Sequence, residues 1–587
     1  MKRLLFSFLF VLTAIAGWAQ EPTTFTQGDF TYTVTDDENH YVSIAKADEA
    51  TFNSALVIPS SVVYETVTYA VTAVGYEGFI GTGITSVTIP ASVLSVDSQA
   101  FYDCDGLIAI TIEDSETALQ WNGTDYHPLD QVNSNYTLYL GRDLTTEGNQ
   151  CFFPGATSVE IGDRVTAVNP YLFDGANKLA FVTMGSGVTT IGGYAFQNTG
   201  TDESVMTQSI TLGANVTTIG DYAFSGCNKL TTLDLGTKLT AIPENMLFSC
   251  SALTSITIPA SVQSVGAHAF YDCDGLTAIT IEDSETALQW NGTGYHPLDQ
   301  VHANYTLYLG RDLTTEGNQC FFPGATSVEI GDQMTTVNPY LFDGANKLAS
   351  VTMGSGVTTI GDYAFRNTGM DESVTAQSIA LGANVITIGD YAFSGCNKLT
   401  TLALGRKLTA IPENMLFGCS ALTGITIPAS VQSVGSHAFY DCDGLTAITI
   451  EDSETALQWN GTDYHPLDQV NSNYTLYLGR DLTTEGEWCF FPGVTSVEFG
   501  PQVTAIPNNL FSGAELSSVK VPWLTPITIN ENVFASGAYS SAILSVPAGT
   551  KEAYAAASIW ENFTNIDHWS TLVTLTASTH GSIVTAE

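Results

Sequence analysis

Cys227, Cys250 and Cys273 stand 23 residues apart, and each ends a copy of one frame, clearest over residues 253–275 as LTSITIPASVQSVGAHAFYDCDG. A fixed period between about 20 and 50 residues confines a chain to a solenoid, because each unit buries its apolar face only against its neighbours. Function in such a body spreads over a repeated surface, which weighs against an enzyme built around one pocket.

A longer period lies over the short one. Cys104, Cys273 and Cys442 are 169 residues apart, as are Trp121, Trp290 and Trp459, and Cys151, Cys320 and Cys489. Blocks starting at residues 84, 253 and 422 copy one another almost letter for letter, which points to tandem duplication. A solenoid tolerates this, since added coils preserve every neighbour contact.

The frame has a direct physical meaning. Ile256 and Ile258 alternate inward on a short strand that Pro259 ends, since proline cannot donate to the ladder. Val262 and Val265 form a second inward pair, and Gly266 is expected to allow the tight turn after them. Ala269 and Phe270 bury on the return side, Cys273 fills the inner corner, and Leu276 opens the next coil. The frame L-x-x-I-x-I-P-x-x-V-x-x-V-G-x-x-A-F-x-x-C-x-x-L at residues 253–276 resembles the BspA-like leucine-rich-repeat proteins of bacterial and protist surfaces. That resemblance implies a β-rich, right-handed leucine-rich-repeat solenoid, often an adhesin or host-protein binder.

The expected organisation is a signal peptide over residues 1–19 and an N-terminal β cap over 20–70. The solenoid follows over 71–548, then a C-terminal capping segment over 549–566, then the start of a further β module over 567–587. The solenoid counts roughly sixteen coils, its short strands stacked into a parallel ladder. Lys2 and Arg3, the apolar run over 4–15 and Gly17-Trp18-Ala19 fit a secretory leader cleaved near Ala19, so the mature chain is expected outside the cell or on its outer surface. No later stretch reaches 18 apolar residues, so no membrane span is expected in the mature chain.

Lys and Arg total 17 against 60 Asp and Glu, a formal net charge of −43, which disfavours nucleic acid as a partner. Ten cysteines in an exported chain invite disulfides. However, Cys104, Cys227, Cys250, Cys273, Cys396, Cys419 and Cys442 share one position, where stacked coils hold Cβ vectors parallel rather than convergent, so free buried thiols are expected.

One segment departs from the short frame in each block, first over residues 112–156. Because the strand at 137–142 returns to the ladder, residues 113–135 are expected to project as a loop. His127 with Asp125 and Asp130 suggests a catalytic or metal group, but the second block replaces Asp125 by Gly294 while keeping His296 and Asp299. The acidic cluster at Glu113, Asp114 and Glu116, repeated at Glu282 and Glu451, lacks the glycine-punctuated spacing of a calcium loop. No cofactor, metal or catalytic residue is expected.

The aromatic content of the loop supplies the candidate ligand contacts: Trp121, Tyr126 and His127, then Trp290, Tyr295 and His296, then Trp459, Tyr464 and His465. Large rigid aromatic side chains anchor binding surfaces, although they also build a loop's own small core. The functional expectation is multivalent recognition of a host or microbial surface protein or glycan, without catalysis. The alternatives are a spacer presenting a missing C-terminal module, or the non-catalytic part of a carbohydrate-active enzyme.

Overall fold

The computed structural model describes residues 23–123, 126–133, 135–291, 295–460, 464–470, 473–484 and 489–569. The expected leader at 1–19 and most of the expected β module at 567–587 lie outside them. The chain forms two compact units, Met1–Val188 and Thr189–Glu587.

In the first unit the coils build two parallel ladders. The main ladder runs through Ala55–Val57, Ser86–Ile89, Ala109–Ile112, Tyr136–Leu140, Ala156–Ile161 and Phe181–Met184. The second joins Val67–Val74, Ser95–Val96, Leu119–Trp121 and Leu144–Thr146. Antiparallel strands Thr24–Gln27, Phe30–Asp36 and Tyr41–Lys46 cover its start. Phe25 stacks on Tyr64 at 4.1 Å, and Phe30 and Phe52 meet the edge of Phe79. The apolar end of the ladder is thereby kept from water, where its open backbone would pair with another chain. Because Ala55–Val57 already pairs in parallel with Ser86–Ile89, coils begin before residue 71.

The second unit repeats the scheme. Ser255–Ile258 pairs in register with Ala278–Ile281, setting Ile256 beside Ile279 and Ile258 beside Ile281. All four side chains are buried, as the alternation of apolar and polar residues demands. On the return side the rings pile up: Phe365 stacks on Phe342 at 5.2 Å and on Phe393 at 5.5 Å. Each buried ring stabilises the fold by about 1.5–3 kcal/mol. The cysteines of the shared position are buried and unpaired, and donate to carbonyls of the preceding coil, as Cys273 Sγ does to Leu247 O at 3.1 Å. After the last coils, Tyr554 and Trp560 are buried, with Trp560 Nε1 donating to Ile527 O at 2.8 Å.

Two expectations need correction. The segment after each EDSE cluster completes the coil begun by the strand before it and does not project as a loop. Leu288–Trp290 is a strand of the second ladder, pairing with Ser264–Val265 on one side and Leu313–Thr315 on the other. The backbone of the following residues closes the coil, with Phe270 N donating to Pro297 O at 2.9 Å. Leu288 and Trp290 point inward while Gln289 points out, so L-Q-W plays the part of the two valines in shorter coils. Over the described residues the solenoid has about 21 turns, more than the expected sixteen.

The tight turn follows Gly266 as expected, but the glycine is not its left-handed residue. Gly266 is needed because a Cβ there would meet Glu244 N at 2.6 Å in the preceding coil. The left-handed residue is His268, at φ 54°, and its counterparts Tyr340, Tyr363, Tyr391, Asn414 and His437 share that conformation. A left-handed non-glycine residue costs about 1–3 kcal/mol, which the surrounding packing must over-determine.

A buried arginine marks each block. Arg311 is 0% exposed; its guanidinium donates to Pro259 O (2.8 Å), Ala260 O (3.1 Å) and Val262 O (2.9 Å), two coils back. Arg142 and Arg480 make the equivalent bonds in the other blocks. Burial lowers the pKa of Arg311, with Glu282 opposing the shift.

Candidate functional site

The nine candidate contact residues separate into three structural classes. Trp121, Trp290 and Trp459 are 0% exposed, and Trp290 packs on Phe322 at 5.2 Å. They belong to the core and cannot touch a ligand from there, because the strand that carries them faces inward. His127, His296 and His465 also turn inward. His296 Nδ1 accepts the Leu298 N–H at 3.2 Å and its ring meets the Phe321 edge, so it must stay neutral on that nitrogen. Burial lowers its pKa below 6.5, against the pull of Asp299. His127 and His465 are held in the same way by Leu129 N and Leu467 N.

Tyr126, Tyr295 and Tyr464 are the exposed members, at 56%, 61% and 57%. Tyr295 leans on the left-handed His268, ring centroids 4.5 Å apart. His268 Nε2 lies 3.4 Å from Asp299 Oδ2, and its ring meets Tyr271 edge-on at 5.1 Å. Tyr271 in turn stacks flat on Phe248 at 4.5 Å. One edge of three successive coils therefore carries four half-buried or exposed rings beside a carboxylate.

The third block reproduces this arrangement. Tyr464 lies 4.5 Å from His437, which is 3.6 Å from Asp468 and 5.0 Å from Tyr440, and Tyr440 stacks on Phe417 at 4.4 Å. In the first block Gln99 replaces the histidine and accepts from Tyr76 Oη at 2.9 Å. The same edge carries Tyr340, Tyr363 and Tyr391 elsewhere in the second unit, stacked at 4.8 and 4.9 Å. Sequence reasoning missed the histidines and this tyrosine column, although the aromatic residue two positions before the buried phenylalanine recurs in G-x-Y-A-F.

The other sequence candidates have structural partners. Glu282 accepts the Ala260 N–H at 2.9 Å, and Tyr308 Oη donates to Asp283 Oδ1 at 2.8 Å, so the EDSE cluster ties coils together. Asp125 and Gly294 lie outside the described residues. Exposed Asp272, Asp274 and His302 bring donor atoms within 4.8 Å of one another. Asp274 Oδ1, however, already accepts the His302 N–H at 2.7 Å, as Asp105 accepts that of Asn133 in the first block, so these side chains cap a turn. On the strand face, two shallow depressions of ≈ 360 and ≈ 380 Å³ lie at equivalent places, beside Thr232, Ser255 and Thr257 and beside Thr401, Gly424 and Thr426. Among the described residues no helix is long and apolar enough to cross a membrane.

Residues 72–202, 202–291, 314–379, 335–467, 424–542 and 471–575 match the BspA type leucine-rich repeat region. Among solved structures, the chain is similar to a leucine-rich repeat protein from Bacteroides ovatus (21% identity, 72% of this chain and 94% of that one, TM-score 0.35). It is also similar to a leucine-rich cell surface protein from Faecalibacterium prausnitzii (20%, 80% and 96%, 0.24) and to the pneumococcal vaccine antigen PcpA (12%, 94% and 99%, 0.25). Among curated proteins no relative matches. With its coils, inward frame and six family matches, the chain belongs to the BspA-type leucine-rich-repeat family.

Proposed function

We propose that this protein is exported and recognises a protein or glycan at the cell surface, by several weak contacts and without catalysis. One observation carries the reading: an exposed tyrosine seated on a half-buried histidine, beside a stacked Phe–Tyr pair, recurs with the same geometry 169 residues later. Exposed rings held in place by their neighbours lose little conformational freedom on binding, which favours them as anchors. Repeating a weak site raises avidity through effective concentration. The family's usual place, secreted or at the surface, agrees with the leader expected at residues 1–19. The His268–Asp299 pair serves as support for Tyr295 and not as a base, and the first block does without the histidine at Gln99.

The test is a glycan and matrix-protein array probed with the mature chain and with tyrosine variants. Replacing Tyr126, Tyr295 and Tyr464 by Ala one at a time should weaken binding modestly, and the triple change far more. A triple variant that binds like the parent would move the site away from this edge.

A further inference from the structure

We infer that the aromatic edge patches at Tyr295 and Tyr464 hold cationic side chains, arginine above all, of a basic polypeptide partner. The inference rests on the reading that these patches bind, and adds the chemistry of what they take.

The first support is the distribution of charge. No Lys or Arg occurs between Lys238 and Arg311, or between Lys407 and Arg480, and both bounding arginines are buried. Each patch thus lies in a stretch whose formal charges are carboxylates, Asp272 and Asp299 around one and Asp441 and Asp468 around the other. Carboxylates beside ring faces and edges, with no Lys or Arg in the stretch to neutralise them, produce a local field that draws in positive charge.

The second support is that the chain fills such pockets with its own cations elsewhere on the same unit. Arg366 lies over the Tyr363 ring at 4.6 Å and grips Asp343 with two bonds, Nε to Oδ1 at 2.8 Å and Nη2 to Oδ2 at 2.6 Å. Tyr363 occupies the same left-handed position as His268 and His437. Lys520 Nζ sits 5.0 Å from the Trp569 ring centroid and 2.8 Å from Glu498 Oε1. At the two patches the rings and acids are present and the sequence around them supplies no Lys or Arg. Arginine suits the site better than lysine, because a planar guanidinium can lie on a ring and bond a carboxylate with two N–H groups together.

The test uses the full mature chain and an arginine nonapeptide at physiological ionic strength, with a lysine nonapeptide as comparison. The arginine peptide should bind several-fold more tightly than the lysine peptide. The double change Tyr295→Ala with Tyr464→Ala, which leaves the net charge untouched, should weaken it about ten-fold. Asp299→Asn with Asp468→Asn should do the same, whereas Glu203→Gln with Glu372→Gln, exposed acids away from the patches, should stay within about two-fold. Circular dichroism on every variant checks folding, and a misfolded aspartate pair leaves the tyrosine pair to decide. Equal binding of both peptides with no loss in the tyrosine pair would overturn the inference and leave a general charge effect. If an array ligand is still lost in the tyrosine variants while the peptide is unaffected, the recognition reading survives and the cationic partner does not.

Discussion

Replacing Arg311 by Met tests how the coils are pinned together. Methionine keeps much of the side-chain length but removes every donor, so the loss falls on hydrogen bonding more than on packing. Pro259 O retains a second donor in Val262 N at 3.1 Å, whereas Ala260 O and Val262 O depend on the guanidinium. The buried Val262 carbonyl left without a partner costs about 1–3 kcal/mol, whereas exposed Ala260 can turn its carbonyl to water. Relief from burying a charge offsets part of that, because the interior penalises the guanidinium. The expected net loss is about 1.4 kcal/mol, or roughly a ten-fold rise in local opening. A long repeat array does not unfold in two states, so a single melting temperature reports this poorly. Native-state hydrogen exchange does: protection should fall across residues 253–313 and stay unchanged near residues 494–569, because coils couple only to neighbours. Arg311→Lys should fall between, one ammonium being unable to reach all three carbonyls in the fork geometry. If Arg311→Met exchanges within about two-fold of the parent, the arginine contributes only its bulk and the argument fails.

Trp290→Ala should cost the fold about 3–5 kcal/mol and Trp290→Phe much less, since Trp290 Nε1 has no hydrogen-bond partner; Tyr295→Ala should leave the thermal melt almost unchanged. The reverse order of destabilisation would mean that the tryptophan, and not the tyrosine, lies outside the core. His296 is held neutral by burial, so its folded pKa is below the unfolded 6.5. Stability is therefore complete above that value, begins to fall as pH drops through it, and levels off below the folded value. Exchange over residues 295–301, corrected for intrinsic rates, should rise from pH 7.5 to 5.5 in the parent and less in His296→Gln. Burial pushes the Cys273 thiol up to about 12 and Cys250 well above its ordinary value, so the buried cysteines should resist a thiol reagent until the chain is unfolded, then react without prior reduction. Mass mapping that finds a Cys227–Cys250 or Cys250–Cys273 disulfide would refute this.

What the sequence determined by itself is everything that repeats with the coil. A solenoid places equivalent residues in equivalent surroundings, so the spacing of Ile256, Ile258, Val265, Phe270 and Cys273 already states which side chains face inward. The three blocks were legible for the same reason. Leu288–Trp290 was not, because its coil is longer than the frame and puts tryptophan where the shorter coils have valine. Only its pairing with Val265 and Thr315 shows it to be a strand of the ladder. The role of Arg311 was equally hidden, since its partners are backbone carbonyls 49 to 52 residues earlier, and a carbonyl carries no residue identity to read. The edge patches depend on tertiary structure most of all. His268, Tyr271, Phe248 and Tyr295 come from successive coils, and they meet because a left-handed turn swings the histidine out beneath the next coil's tyrosine. Periodicity specifies what each coil buries against its neighbours; the side chains that meet on the outside are chosen by the turn conformation and by the stacking of one coil on the next.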